Sequence, residues 1–302
     1  MVHIKAATIV VASSLILAGC EVNLNTEGVS AREVKAYTVA GRPELTVDTF
    51  DGSIELHSWD RNEVEVEIEK RAMEQVLIEE IRVDARQDGD KITIKITGPQ
   101  RPQHRNVTIG THISPTARVR VVVPRHANVS ATSGDGSIRA EAIEGRIVLQ
   151  TSDGSVTASR IGGDVEIRSG DGSIRVERAT GKLDLETTDG SIGLEAKPTV
   201  LKARTGDGSI RANIETDTVM ADHWDLTTSD GTITVTLPAQ FNAELDAETS
   251  DGAVRTNHPL IADDRGGEDR ESRRRRTLRS TLGDGGKMFR IRTGDGTIRI
   301  ER

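Results

Sequence analysis

The sequence predicts an all-β fold, a β-solenoid or β-helix-like stack of short strands with rungs of about 18 residues, and three observations predict it. Asp135, Asp153, Asp171, Asp189 and Asp207 each precede a glycine, and each follows the last by 18 positions. A fixed short period of this kind marks a repeat architecture. Around these Asp-Gly pairs, aliphatic and polar residues alternate with the period of two that belongs to strands. Aromatic residues make up only 2% of the 302 residues, so the core must be built from aliphatic and small side chains.

Residues 1–19 read as an export signal. Lys5 precedes an apolar run from Ala6 to Ala18, which suits a signal-peptide core and falls short of the roughly 18 or more residues that span a bilayer. The following Leu17-Ala18-Gly19-Cys20 resembles the bacterial lipobox. The resemblance implies cleavage before Cys20 and acylation of that cysteine with palmitate-type chains. Cys20 is the only cysteine, so no disulfide can form within the chain. The expectation is a membrane-anchored lipoprotein of the bacterial cell envelope, with residues 20–38 as a polar tether and residues 39–302 as the strand-repeat domain. Retention at an inner membrane resembles a rule that needs Asp after the lipid-bearing cysteine; Glu21 stands there, which favours the outer membrane where two membranes are present.

After the tether, Glu44 to Thr49 and Ser53 to Trp59 alternate on either side of Asp51-Gly52, and Glu63 to Ile68 repeats the pattern. Residues 71–81 place Ala72, Met73, Val76, Leu77 and Ile81 at the spacing of a short amphipathic helix. Strands resume near 82–85 and 91–97, a proline-containing loop covers 99–105, and a further strand from Ala117 stops at Pro124, which cannot donate to a ladder. The rungs follow. Each offers about four inward aliphatic residues, such as Ile174, Val176, Leu183 and Leu185. Burial of each contributes roughly 1.5–3 kcal/mol at most, less than the cost of ordering a rung at about 1.5 kcal/mol per residue. Rungs must therefore stack to fold. Later Asp-Gly pairs at Asp230-Gly231, Asp251-Gly252 and Asp295-Gly296 are more widely spaced, with an insertion at 257–286 that contains Arg273 to Arg276 and reads as an exposed loop.

Two readings of the coil remain. The hexad Gly-Asp-Gly-Ser-Ile-Arg recurs only in alternate rungs, at 134, 170 and 206, so the coil repeats either with the single spacing of the Asp-Gly pairs or with twice that spacing. With the single spacing, Arg139, Arg175 and Arg211 stand two rungs apart, which eases repulsion and makes this row the candidate interaction surface.

Taken together, the leader, Trp59-Asp60 after the first Asp-Gly, the serial Ser/Thr-Asp-Gly-Ser-Ile units and the closing Arg-Thr-Gly-Asp-Gly-Thr-Ile-Arg-Ile resemble the bacterial DUF4097 family of β-strand-repeat proteins, which carry the label of adhesins. The resemblance covers about residues 39–302 and implies a β-solenoid-like stack.

The residues exclude several chemistries. A formal net charge of −8 disfavours nucleic acid as a partner. The corner pairs Asp51-Gly52, Asp135-Gly136, Asp153-Gly154, Asp171-Gly172, Asp189-Gly190, Asp207-Gly208, Asp230-Gly231, Asp251-Gly252 and Asp295-Gly296 invite a calcium-roll reading, but such rolls need ligands at both turns. Here the second turns are Ile161-Gly162-Gly163-Asp164 and Ala179-Thr180-Gly181-Lys182. The plainer reading is structural: each Asp bonds its own turn while Gly takes positive φ. Scattered histidines and the lack of a nucleophile elbow, P-loop or zinc-protease motif argue against an enzyme. No metal or cofactor is expected. The reading is a non-catalytic envelope lipoprotein presenting a rigid β-surface for adhesion or protein interaction, with an envelope-stress sensing or regulatory module and a calcium-stabilised roll as alternatives.

Overall fold

The computed structural model describes residues 21–25, 28–99, 114–259 and 276–302; the leader, Cys20, most of the proline-containing loop and Arg273 to Arg275 lie outside them. The described chain forms a stacked β-solenoid of two facing ladders. Register settles the coil length: Ile138 pairs with Val156, Val156 with Ile174, Ile174 with Ile192 and Ile192 with Ile210, all parallel and all at the same offset. The coil therefore repeats with the single Asp-Gly spacing, the 18 positions that separate Arg168 from its partner Glu186 in the next coil. Each coil contributes one strand to each ladder.

The first ladder runs through Lys91–Thr97, Glu44–Thr49, Asn128–Ser133, Glu144–Thr151 and Gly162–Ser169, then through later segments of the chain to Trp224–Thr228. The second runs through Thr116–Pro124, Ile54–Trp59, Ile138–Glu141 and Val156–Ser159 to Ile210–Ile214 and Ile233–Thr236. Side chains alternate between the space separating the ladders and the outside, as strand geometry requires. Ile138, Ala140, Ile147, Leu149, Ile174, Val176, Leu183 and Leu185 are all buried, the positions that the period of two assigns inward. Near one end the aliphatic core gives way to Trp224, Phe241 and Phe289, whose ring centroids lie 5.4–6.3 Å apart.

Coils do not stack in chain order. The coil of Glu44–Thr49 and Ile54–Trp59 lies between the later strands Lys91–Thr97 and Thr116–Pro124 on one side and the coil beginning at Asn128 on the other. At the other end, Met288–Glu301 inserts between the Trp224–Thr236 coil and Ala243–Thr256. Long-range parallel pairing thus ties both ends of the repeat into the stack.

Three local expectations are corrected. The segment read as a tether, 20–38, contains two strands: Gly28–Thr38 pairs antiparallel with Glu63–Ala72, and Glu21–Asn25 pairs with Gly28–Thr38. The insertion read as a loop, 257–286, contains Thr277–Leu282, which pairs antiparallel with residues 243–248 and buries Leu278 and Leu282. Arg82–Asp88 does the same for Lys91–Thr97. The physical reason is one: an unpaired outermost parallel strand is an open edge, and an antiparallel strand folded back on it satisfies its backbone groups, as Thr277–Leu282, Arg82–Asp88 and Glu63–Ala72 do; Gly28–Thr38 then adds a further antiparallel strand on Glu63–Ala72. The helix expected over 71–81 is only Gln75–Glu80, and its buried residue is Ile78. Met73 and Val76 are exposed, and Ala72 and Ile81 are buried outside the helix. A helix this short makes under two turns, too few to present a stripe.

At the C-terminal end Asp246, 8% exposed, holds two arginines. Arg292 Nη2 lies 2.6 Å from Oδ2, and Arg279 Nε lies 3.3 Å from Oδ1. The Arg292 hydrogen bond outweighs the desolvation that opposes it and, with the charges of both arginines, holds the carboxyl below the usual carboxylate range. A depressed folded pKa contributes stability above the unfolded value of about 3.9, and that contribution is lost as pH falls through the folded value. The melting temperature should therefore drop more steeply in the native protein than in Asp246→Asn between pH 5 and about pH 3. Parallel pH profiles in the two proteins would contradict this role.

Candidate binding face

The nine Asp-Gly pairs converge on one corner between the ladders, but their chemistry differs from the expectation. Of the nine glycines only Gly52 and Gly252 take positive φ. What requires glycine is close approach. A Cβ on Gly172 would run into the carbonyl of Gly154 and stand 2.7 Å from the Ser155 nitrogen, and the same holds coil after coil along the order Gly52, Gly136, Gly154, Gly172, Gly190, Gly208, Gly231, Gly296, Gly252. Positive φ belongs instead to the opposite corner, at Ala142, Arg160 and Arg178, followed by Gly145, Gly163 and Gly181.

The aspartates point outward: all but the half-buried Asp51 are exposed. The turn is satisfied by a residue that the sequence reading passed over, the Ser or Thr three positions before each glycine. Thr187 Oγ1 lies 2.9 Å from the Gly172 carbonyl of the preceding coil and accepts from the Gly190 N–H at 3.3 Å. Ser133, Thr151, Ser169 and Thr205 make the same pair of contacts. All nine hydroxyl residues, from Thr49 to Thr293, are buried. The signal was in the sequence as Ser/Thr-x-Asp-Gly, masked by the more conspicuous Asp-Gly. Among the described residues no group of three or more His, Cys, Asp or Glu could hold a metal ion.

The arginine row is brought together on the outer face of the second ladder. Arg139 pairs in register with Thr157, Thr157 with Arg175, Arg175 with Gly193, and Gly193 with Arg211. Arginines therefore stand two strand spacings apart, about 9.5 Å. The structure adds two that the sequence reading missed. Arg211 pairs with Thr234 and Thr234 with Arg299 at one end, while Glu55 lies between Arg139 and Arg120 at the other. Arg299 belongs to the last Gly-Asp-Gly-Thr-Ile-Arg unit, so its hexad was legible; the long stretch of chain between Thr234 and Arg299 hid the register.

Glu55, Glu141, Glu177, Glu195 and Glu301 share this face, yet direct ion pairs to the row are few. Arg175 lies 3.9 Å from Glu177, and among the described residues Arg120, Arg139, Arg211 and Arg299 have no ion pair. On the first ladder Arg168 pairs with Glu186 and Lys182 with Asp164 across coils. Gly193 has nothing within 4 Å of where a Cβ would stand, and above it an open groove of about 530 Å³ is flanked by Arg175, Arg211 and Arg299.

Trp224 is buried in the core, whereas Trp59 is half-buried, donates from Nε1 to the Glu63 carbonyl at 2.8 Å and carries the Arg61 guanidinium 4.7 Å over its ring.

No curated protein matches the chain. Solved structures with a similar arrangement include a "putative adhesin" from Bacteroides fragilis, 11% identical over 89% of this chain and 96% of that one with a TM-score of 0.41. Another "putative adhesin", from Parabacteroides merdae, is 13% identical over 89% and 95% with a TM-score of 0.38. A "putative cell adhesion protein" from Clostridium sporogenes is 13% identical over 90% and 99% with a TM-score of 0.30. The family profile described as Toastrack DUF4097 matches residues 43–301, a span that takes in every Asp-Gly corner, the buried hydroxyl column and the arginine row; the chain belongs to the DUF4097 (Toastrack) family.

Proposed function

We propose that the chain is a non-catalytic module of the bacterial cell envelope, acylated at Cys20, that presents the outer face of its second ladder for adhesion or protein interaction. The observation that carries this reading is the regular row of arginines on the outer face of the second ladder, of which only Arg175 makes an ion pair among the described residues. Free guanidiniums at fixed spacing on a rigid scaffold suit recognition of an anionic partner. Their support is preorganised, because each coil is fixed by its neighbours through backbone pairing, corner glycines and corner hydroxyls. A bilayer-attached acyl group at Cys20 would hold this face at the cell surface without a spanning segment.

Proximity crosslinking from the anchored protein in its native cell tests the reading. Cys20→Ala is expected to leave the protein out of the membrane fraction. The triple change of Arg139, Arg175 and Arg211 to Ala is expected to keep the melting temperature and lose the captured partner. Retention of the same partner by the triple variant would remove the arginine row from the function.

A further inference from the structure

The spacing of the arginine row, rather than its charge alone, discriminates among anionic partners. Guanidiniums recur every second coil, about 9.5 Å apart. A nucleic acid strand carries a phosphate about every 3.4 Å, and an extended peptide presents same-face side chains every two residues, about 6.7 Å. Neither matches. The rings of an extended polysaccharide advance by a length close to one strand spacing, so a polymer with one anionic group on every second sugar places its charges two spacings apart, whereas one charged on every sugar would also set a carboxylate over Gly193, beside Glu195.

The positions between the arginines fit the uncharged ring. Thr157, Gly193 and Thr234 occupy them, all shorter than arginine, and Gly193 leaves the space over the sheet open. Along one flank of the groove Ser173, Ser191 and Ser209 offer one hydroxyl per coil, the period of the rings. Along the other, Glu177, Glu195 and Asn213 offer oxygen acceptors for sugar hydroxyls. At Arg211 the flanking residue is Asn213, where the Arg175 coil has Glu177, so the cationic character is greater on the Arg211 side of the groove.

We propose that this face binds a linear acidic polysaccharide with one carboxylate or sulfate on every second sugar, lying along the stacking direction with its anionic groups on Arg139, Arg175, Arg211 and Arg299 and its intervening rings over Thr157, Gly193 and Thr234. The assignment rests on the display reading above and names the chemical class of its partner.

Affinity electrophoresis of the full chain in detergent, with three polymers, tests it. Hyaluronan carries one carboxylate per two sugars, polygalacturonate one per sugar, and dextran none. Retention by hyaluronan is expected to exceed that by polygalacturonate, to vanish with dextran and to weaken with added salt. The double variant Arg175→Gln/Arg211→Gln should lose about tenfold or more in affinity, since two charge-assisted contacts go. Gly193→Glu should lose a similar amount by placing a carboxylate between the two arginines; its melting temperature should stay within a few degrees of the native value, because the site is open. Equal retention by both acidic polymers, or retention by hyaluronan that survives the arginine changes, would overturn the assignment. Failure of both polymers while a crosslinked protein partner still depends on the arginines would overturn the polysaccharide and leave the display function standing. Loss of dependence in both experiments would remove both.

Discussion

Gly172→Ala should destabilise the protein by about 3 kcal/mol or more, the upper range of overpacking effects, while Gly193→Ala should leave it unchanged or slightly more stable. The two glycines lie in neighbouring coils and differ in what a methyl group would meet. At Gly172 the methyl would overlap the Gly154 carbonyl and approach the Ser155 nitrogen at 2.7 Å. Both obstacles are backbone atoms that are themselves fixed by the next coil, so relief requires the stack to part at that corner. Parting is not local, because Ile174 N–H donates to the Ser191 carbonyl and Val156 N–H to the Ser173 carbonyl at 3.0 Å each, and those bonds flank the displaced segment. At Gly193 the methyl meets nothing within 4 Å and φ is not positive. There alanine removes the entropic cost of a mid-strand glycine, worth about 0.5–1 kcal/mol. Urea unfolding of the two variants beside the native protein measures both. Similar stabilities for Gly172→Ala and native would show that the corners are not in contact.

The same pair of glycines shows what a sequence can and cannot disclose about this fold. Period and alternation identify the coil and its inward residues, because stacking in register forces identical offsets in every rung. The physical cause of a glycine is not carried by its letter. Gly172 sits in an Asp-Gly corner and Gly193 inside a strand; the repeat marks the first as special, but only the partner coil shows that one meets a close approach and the other an empty notch. The edge strands Gly28–Thr38, Arg82–Asp88 and Thr277–Leu282 escape the repeat for a related reason. They fold back antiparallel at an edge instead of recurring through the stack, so nothing makes them resemble one another. The arginine row was legible where coils follow each other in chain order, at Arg139, Arg175 and Arg211. It was lost where coils stack out of chain order, because Arg120 and Arg299 reach the row through contacts between distant segments.

Thr187→Val carries the second large effect, an expected loss of about 2–4 kcal/mol from a change that keeps side-chain shape and removes one oxygen. The corner hydroxyl serves two backbone groups inside the stack: it bonds a carbonyl of the preceding coil, Gly170 or Gly172, each at 2.9 Å, and accepts the Gly190 N–H at 3.3 Å. Valine fills the same space and leaves the N–H and the carbonyl without that hydroxyl, and each buried unsatisfied group costs about 1–3 kcal/mol. Because the Gly172 carbonyl is also the atom that excludes a side chain at Gly190, no shift of the neighbouring coil can supply a substitute partner without opening the corner. Thr187→Ser, in contrast, should lose little, since Ser133 and Ser169 make the same bonds at their own corners. Amide hydrogen exchange gives the specific reading: in Thr187→Val the Gly190 N–H should exchange faster by a larger factor than amides in coils farther along the stack, whereas in Thr187→Ser it should stay protected. Uniform acceleration across every coil in the valine variant would mean that the loss is one of general packing, and the hydroxyl column would then be a consequence of the stack rather than one of the things that holds it.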